Sequence, residues 1–213
     1  MICGSGMLAR YFEKINNNNN DVIFFCSGVS DFTSNDFNRE KNCLLSLPKE
    51  KFIVYSSSLC VVSQKTEYQK HKFYMEKIIE NNFQNYLIFR VGNLVGHNQN
   101  KNQFFPNIVN QIKNKKVLIH NYRRDLLLAS DYVKIVSSML NYKNRILSLC
   151  SSKPPHVLSI VEEIEKYIGY SNKEYSNFSE INYFYKPSII TGDEYYYKKV
   201  IKNYFDKNYE ILH

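Results

Sequence analysis

With 213 residues, 44% of them apolar, the chain can bury the core of one domain, or of one domain with a small appendage. Its apolar runs, such as Val22–Cys26 and Leu126–Ala129, fall far short of the ~20 residues that cross a bilayer. No basic segment followed by an apolar stretch opens the chain, so neither a membrane span nor a leader is expected, and the expected location is the cytoplasm. Five scattered cysteines (Cys3, Cys26, Cys43, Cys60, Cys150) without a Cys-x-x-Cys pair point to neither a zinc site nor a disulfide framework, and no His/Asp/Glu set has metal-ligand spacing. The net charge of +8 is spread along the chain, its densest cluster being Lys113–Lys116. That suits a phosphate-bearing ligand better than nucleic acid.

In chain order, Met1–Cys3 is a strand stub and a helix is expected from about Met7 to Ile15. The Asn16–Asn20 run reads as a loop tip. Val22–Cys26 is a continuous apolar run, as a strand buried on both faces requires. Helical spacing covers Asn35–Leu47 and stops at Pro48. Phe52–Tyr55 is the next strand, running into Ser56-Ser57-Ser58. Helix Tyr68–Asn81, strand Tyr86–Val91, helix Phe105–Asn114, strand Val117–Ile119, helix Asp131–Leu140 and strand Arg145–Leu149 come next. Ser159 and Glu162 have capping-box spacing and are expected to open a helix ending at Gly169. The tail is expected to end in a helix over Asp193–Phe205. Alternating strands and helices predict an α/β fold with a mainly parallel, Rossmann-like, doubly wound sheet.

Gly4-x-Gly6-x-x-Ala9 stands between the strand stub and the first helix. A first glycine allows a tight turn, and a second lets a pyrophosphate reach the backbone. A small third residue lets helix and strand pack, with the helix N-terminus facing the anion. Gly4, Gly6, Met7 and Leu8 are therefore candidate cofactor contacts, as are Ser27 and Gly28, small residues after the second strand. The alternative is a glycine-rich turn with no ligand. An acidic residue about 20 positions on, ending a second strand, would hold the adenosine ribose. Here the Asn run leads straight into Asp21 and a strand that ends in small residues, so the sheet is expected to be short by two strands.

Tyr68-x-x-x-Lys72 puts a phenol and an ammonium on one helical face. The ammonium stabilises the phenolate and makes Tyr68 a candidate proton donor or acceptor. Ser58, ending the preceding strand, is placed to donate to the same substrate oxygen. The same spacing recurs at Tyr195 and Lys199, with no serine-terminated strand before it, and there it is expected to mark a solvated face.

These residues resemble the extended short-chain dehydrogenase/reductase family, in its sugar-nucleotide epimerase and dehydratase branch. The matches are Gly4-x-Gly6-x-x-Ala9, Asp21–Ser27, Phe52–Ser58, Tyr68-x-x-x-Lys72, Arg90-Val-Gly-Asn93-Leu-Val-Gly96, and Arg124-Asp125 followed by Asp131. The resemblance implies NAD or NADP as cofactor and a nucleotide sugar as substrate. It implies that Ser58 polarises the sugar oxygen, Tyr68 exchanges its proton and Lys72 also holds the nicotinamide ribose. It places Asn93 and Arg124 at the sugar and its diphosphate, a surface ion pair with Asp125 being the other reading of Arg124. It implies a dinucleotide-binding domain over 1–150, with 97–120 contributing to a small substrate lobe that continues over 151–213. A homodimer through the helices at Asn35–Leu47 and Tyr68–Asn81 is implied as well.

Departures from the family pattern narrow the reaction. Leu59-Cys60 replaces the Asp-Glu pair of the dehydratases. Gln103 stands where epimerase/reductases with a cysteine acid/base keep a histidine before the proline, here Pro106. Dehydration and two-base epimerisation are therefore not expected, and Cys60 is expected to be a buried spectator. Reduction of a 4-keto group or 4-epimerisation, in surface polysaccharide synthesis, is the expected role. The competing readings are a relative that binds a sugar nucleotide or a partner protein without turnover, and a basic nucleic-acid surface. His71 is expected to be exposed, and His120 is given no role.

Overall fold

The computed structural model describes residues 1–15, 20–30, 36–176 and 187–209. The loop expected at Asn16–Asn20 lies outside these residues except for Asn20, and Asn35 lies outside them too. In chain order the elements are β1 (Ile2–Cys3), α1 (Met7–Glu13), β2 (Val22–Phe25), α2 (Phe37–Leu45), β3 (Phe52–Ser58), a 3-10 turn (Leu59–Val62), α3 (Glu67–Asn82), β4 (Asn85–Val91), β5 (Asn93–Val95), α4 (Phe104–Lys113), β6 (Lys116–Ile119), β7 (Leu126–Leu128), α5 (Ala129–Ser138), β8 (Arg145–Cys150), α6 (Val157–Ile168), β9 (Asn172–Tyr175), β10 (Ile189–Ile190) and α7 (Tyr196–Tyr209). They form two compact units, one of residues 1–91 and 129–149, the other of residues 92–128 and 150–213.

The first unit is built on the parallel strands β1-β2-β3-β4-β8. Every residue of β2 is buried, which is why its sequence is apolar without alternation. Successive side chains still point to opposite faces. Ile23, Phe25, Ile53, Tyr55 and Ile88 meet Leu44 of α2 and Met75, Ile78 and Ile79 of α3. On the other face Phe24 stacks on Phe12 of α1 at 4.3 Å, and Phe89 meets Tyr132 of α5 edge-on at 5.9 Å. Helices therefore cover both faces, as the doubly wound expectation requires.

The strands step in one direction along the sheet from β1 to β3, yet α1 and α2 lie on opposite faces. The crossovers β1-α1-β2 and β2-α2-β3 thus have opposite hands, although about 98% of such units are right-handed. Only residues 14–21 join α1 to β2, too few for another pair of strands, and β1 is an edge strand among the described residues. Among the described residues the sheet is shortened where the sequence implied: α1 keeps a place on its face, and the next strand is β2.

In the second unit β5 pairs with β7 and β6 with β9, both in parallel. Val117–Ile119 is a strand as expected, but its partner is β9 and not the main sheet. Within the same unit Thr191 N–H, just after β10, donates to the Cys150 carbonyl at 3.0 Å. The capping box expected at Ser159 does not form. α6 starts earlier, at Val157, because Val157 N–H is met by the Tyr122 carbonyl at 3.0 Å and the start needs no side-chain cap. α6 ends at Gly169, whose φ of +89° suits glycine.

Candidate active site

In a parallel sheet the carboxyl ends of the strands share one edge, and ligands bind there. β1 ends at Cys3, β2 at Phe25 and β3 at Ser58. Their continuations at that edge are the Gly4–Leu8 loop, the Ser27-Gly28 pair and the turn that leads into Tyr68 and Lys72. Gly4 has φ +122°, and a Cβ there would lie 2.7 Å from the Cys26 carbonyl and 2.8 Å from Ser27 N. Glycine is what lets the first loop lie against the second. Gly6 precedes α1 without a side-chain cap, and a Cβ on it would meet nothing within 4 Å. Gly4–Gly6 are exposed, and Met7 and Leu8 are half-buried behind them. The loop thus presents open backbone at the sheet edge.

Ser27 accepts from Arg39 Nη1 at its carbonyl (3.1 Å) and hydroxyl (2.9 Å), and Arg39 is also paired with Asp36. A Cβ on Gly28 would lie 3.0 Å from Lys72 Nζ and 3.1 Å from Glu40 Oε1. A larger residue there would press on the lysine.

A capping box starts α3. Gln69 N–H donates to Thr66 Oγ1 at 3.3 Å, and Gln69 Oε1 accepts from Thr66 N–H at 3.1 Å. This fixes the phase of the helix, so Tyr68 and Lys72 share a face, with Lys72 Nζ 6.0 Å from the Tyr68 ring centre. Lys72 is only 3% exposed. Its ammonium donates to Glu40 Oε1 and to Tyr55 Oη, both at 3.0 Å. Tyr55 Oη donates to Glu40 Oε1 at 2.7 Å, and Val29 N–H to Glu40 Oε2 at 2.7 Å. His71 Nε2 is 2.9 Å from Glu40 Oε2.

Burial pushes the Glu40 carboxyl up, but Lys72 and the bonds from His71, Val29 and Tyr55 outweigh it and hold Glu40 at about 2. An ionised carboxylate only accepts, so His71 carries its proton on Nε2. Burial, and then Glu40, push the Tyr55 phenol well above its usual range.

His71 corrects the expectation of an exposed ring. It is 8% exposed, stacked on Phe37 at 4.4 Å, because residues 71, 75 and 78 share the face that α3 turns to the core. Beside this cluster lies a second buried carboxylate, Glu76. It takes two bonds from Arg90, at 3.0 and 2.6 Å, and one from Ser57.

The three serines of β3 have separate fates. Ser56 bonds Tyr132, Ser57 bonds Glu76, and Ser58 ends the strand half-buried. Ser58 Oγ is 3.0 Å from Cys60 Sγ and accepts from Cys60 N–H at 3.4 Å. Cys60 is half-buried, not fully buried as expected, and it touches the proposed catalytic hydroxyl.

In the second unit Asn93 Nδ2 and the Asn93 N–H both donate to the Asp125 carbonyl at 2.9 Å. The Arg124 guanidinium lies over the rings of Tyr122 (4.6 Å) and Phe104 (5.3 Å), and its Nε is buried without a partner among the described residues. The Asp125 carboxylate is taken by the N–H and hydroxyl of Ser151, so the ion pair considered for Arg124 is not made. Burial raises Asp125 to about 6, against the Ser151 bonds that lower it. At the other Tyr-x-x-x-Lys, Tyr195 is 59% exposed, and Lys199 lies over the neighbouring Tyr196 ring. Among the described residues no three His, Cys, Asp or Glu are placed to hold a metal ion, and no helix is long and apolar enough to cross a membrane.

Residues 48–150 match the sequence model of the NAD dependent epimerase/dehydratase family. Over that stretch, just under half of the chain, the sequence is similar to this family. The stretch includes Ser58, Tyr68, Lys72, Asn93 and Arg124, whereas the Gly4–Gly28 loops precede it. No curated protein matches the chain. Among solved structures it is similar to a dTDP-4-dehydrorhamnose reductase from Clostridium acetobutylicum (16% identity, 97% of this chain and 98% of that one, TM-score 0.67). It is also similar to RMD from Pseudomonas aeruginosa complexed with NADPH (13%, 96% and 97%, TM-score 0.68). A third likeness is to a dTDP-glucose 4,6-dehydratase from Bacillus anthracis in complex with NAD (17%, 89% and 73%, TM-score 0.61). At these identities the likeness concerns the Rossmann-like fold alone.

Two parts of the site are not evident from the sequence: Glu40 with Tyr55, and Glu76 with Arg90. Glu40 leaves a trace, because Phe37, Glu40, Leu44 and Leu47 fall three, four and three apart, setting a carboxylate in the apolar stripe of a helix.

Proposed function

We propose that the protein is an NAD- or NADP-dependent reductase or 4-epimerase of a nucleotide-activated sugar. One observation carries this reading. The exposed Gly4–Gly6 loop with the start of α1 behind it, Ser27-Gly28 and the Tyr68–Lys72 face of α3 line a single carboxyl edge of a parallel sheet, with Gly4 against Ser27 and Gly28 against Lys72. The open space at Gly6 fits the close approach of a pyrophosphate, which Gly4, Gly6, Met7 and Leu8 would hold. Ser27 and Gly28 would flank the nicotinamide half. Two of the three Lys72 protons go to Glu40 and Tyr55, leaving the third for a ribose hydroxyl.

Bound there, the cofactor supplies or accepts a hydride at a sugar carbon. Ser58 orients the sugar oxygen, and Tyr68 gives that oxygen a proton or takes one from it. In the second unit the orphaned Arg124 donor suits a diphosphate, and Asn93 would meet the sugar. On this reading the first unit is the dinucleotide-binding domain and the second the substrate lobe. Helices α2 and α3 would pair in a homodimer, in the cytoplasm, serving surface polysaccharide synthesis.

The test is turnover of a nucleotide-linked 4-keto sugar with NADH or NADPH, measured as loss of nicotinamide absorbance. Tyr68→Phe should lower the rate about a hundredfold or more while leaving cofactor binding intact. A second reading, a relative that binds a sugar nucleotide or a partner protein without turnover, is favoured by the missing strands beside β1. Binding without any turnover would select it. Failure of both binding and turnover would end the enzyme reading.

A further inference from the structure

Resting on that reading, we propose that Arg39 is a further cofactor-binding residue: its guanidinium, held against Ser27 just after β2, pairs with the pyrophosphate of the dinucleotide.

Two consecutive residues of α2 serve the sheet edge in different ways. Glu40 is buried beside Gly28, with Oε1 3.1 Å from where a Cβ on that glycine would lie. Arg39, one position earlier, has a side chain 47% exposed and reaches Ser27. There Nη1 donates to the carbonyl at 3.1 Å and to the hydroxyl at 2.9 Å, while Nε goes to Asp36. A guanidinium carries five N–H donors in a rigid fork. Nε and Nη1 account for three of them, and the two on Nη2 have no partner among the described residues.

The place of this fork matters as much as its spare donors. A Cβ on Gly4 would lie 2.8 Å from Ser27 N, so the residue that Arg39 grips is the one against which the glycine loop rests. The charge is felt on β1 as well. Burial and the contact with Cys43 raise the Cys3 thiol to about 11, and Arg39 works against them. Cys3 immediately precedes Gly4. The loop therefore offers open backbone on one side, and Arg39 stands as a cation on the β2 side of it.

Asp36 does not remove this role. Its pair with Arg39 is exposed at both partners, and such pairs are weak. Asp36 also occupies Nε, whereas a phosphate would be met by Nη2. Ser27 supplies neutral acceptors, so the two bonds that fix the guanidinium there do not neutralise it. A cation fixed in advance, with donors to spare, suits charge-assisted hydrogen bonds to phosphate oxygens.

The test is a titration of NADH and of NADPH, read by nicotinamide fluorescence, for wild type and Arg39→Gln. Both cofactors carry the pyrophosphate, so the variant should bind both more weakly, by about tenfold and by the same factor. Loss confined to NADPH would put Arg39 at the ribose 2′-phosphate and overturn the proposal, as would equal binding by the two proteins. A residue that only props Ser27 could also weaken binding, and salt separates the two roles. Raising salt from about 0.1 to about 1 M shortens the screening length from ~10 to ~3 Å. Wild-type affinity should fall over that range, and the affinity of Arg39→Gln should fall clearly less. The same fall in both proteins would leave Arg39 a prop and overturn the proposal. Should Arg39→Gln fail to fold, Arg39→Met takes its place with the same two readings. A wild type that binds neither cofactor ends the dinucleotide reading and this assignment with it, whereas binding that the variant leaves unchanged ends the assignment alone.

Discussion

Glu40 and Asp125 are both buried carboxylates, one in each unit, and their surroundings drive them in opposite directions. Glu40 faces an ammonium, a phenol, an imidazole and an N–H, and is held at about 2. Asp125 faces only the N–H and hydroxyl of Ser151, and burial raises it to about 6. Burial is common to both, so the cation makes the difference. Buried charge is kept and neutralised where the proposed chemistry lies. In the second unit a carboxyl group serves as a hydrogen-bonding peg that ties Ser151 beside Asp125.

The comparison breaks most sharply if the cation is removed. Lys72→Met leaves the Glu40 carboxylate buried without a counter-charge and should cost about 3–5 kcal/mol in urea unfolding. Glu40→Gln, which removes the charge that needed pairing, should cost clearly less; equal costs would mean that the pair does not dominate the cluster. A smaller effect comes from acid. The folded value of Glu40 lies below its unfolded value, so its contribution is full above about 4.5 and is lost as pH falls toward 2. The stability of wild type relative to Glu40→Gln should shrink by roughly 3 kcal/mol across that window.

Asp125 should show the opposite sign. Its folded value is raised, so the protonated form is favoured in the native state, and stability is gained as pH falls from about 6 toward 4. Against Asp125→Asn, the wild type should gain roughly 2 kcal/mol in that range; a flat difference would show an ionised, well-solvated Asp125. The smallest effect belongs to the exposed Tyr195. Tyr195→Phe should change stability by under about 0.5 kcal/mol and leave turnover untouched, and a loss of turnover there would undo the distinction between the two Tyr-x-x-x-Lys pairs.

Much of the first unit was legible because its signals are local. The unbroken run Val22–Phe25 can only be a strand buried on both faces, and Tyr68 and Lys72 share a face by spacing alone. The gap between α1 and β2 was legible as a shortage of residues. The second unit was harder to read. β5, β7, β9 and β10 have two to four residues each, and they exist because Asn93 finds Leu126 and Lys116 finds Asn172 far along the chain. No local pattern carries such pairings. The α6 start was misread because a distant carbonyl, that of Tyr122, did the work of a cap. In the site, Glu40 leaves only the trace of a carboxylate in an apolar stripe, His71 is expected to be exposed but is buried, and their meeting across two helices depends on the tertiary fold.

The central claim is that a dinucleotide lies along the sheet edge from the Gly4–Leu8 loop to Lys72. Its most direct test is a titration of NADH and NADPH against the protein, read by nicotinamide fluorescence, for wild type and Gly6→Asp. The space at Gly6 admits a side chain, so the variant should fold while its carboxylate repels the pyrophosphate. Saturable binding of one cofactor, weakened at least about tenfold in Gly6→Asp, is the predicted result. No binding at millimolar cofactor, or equal binding by both proteins, would contradict it.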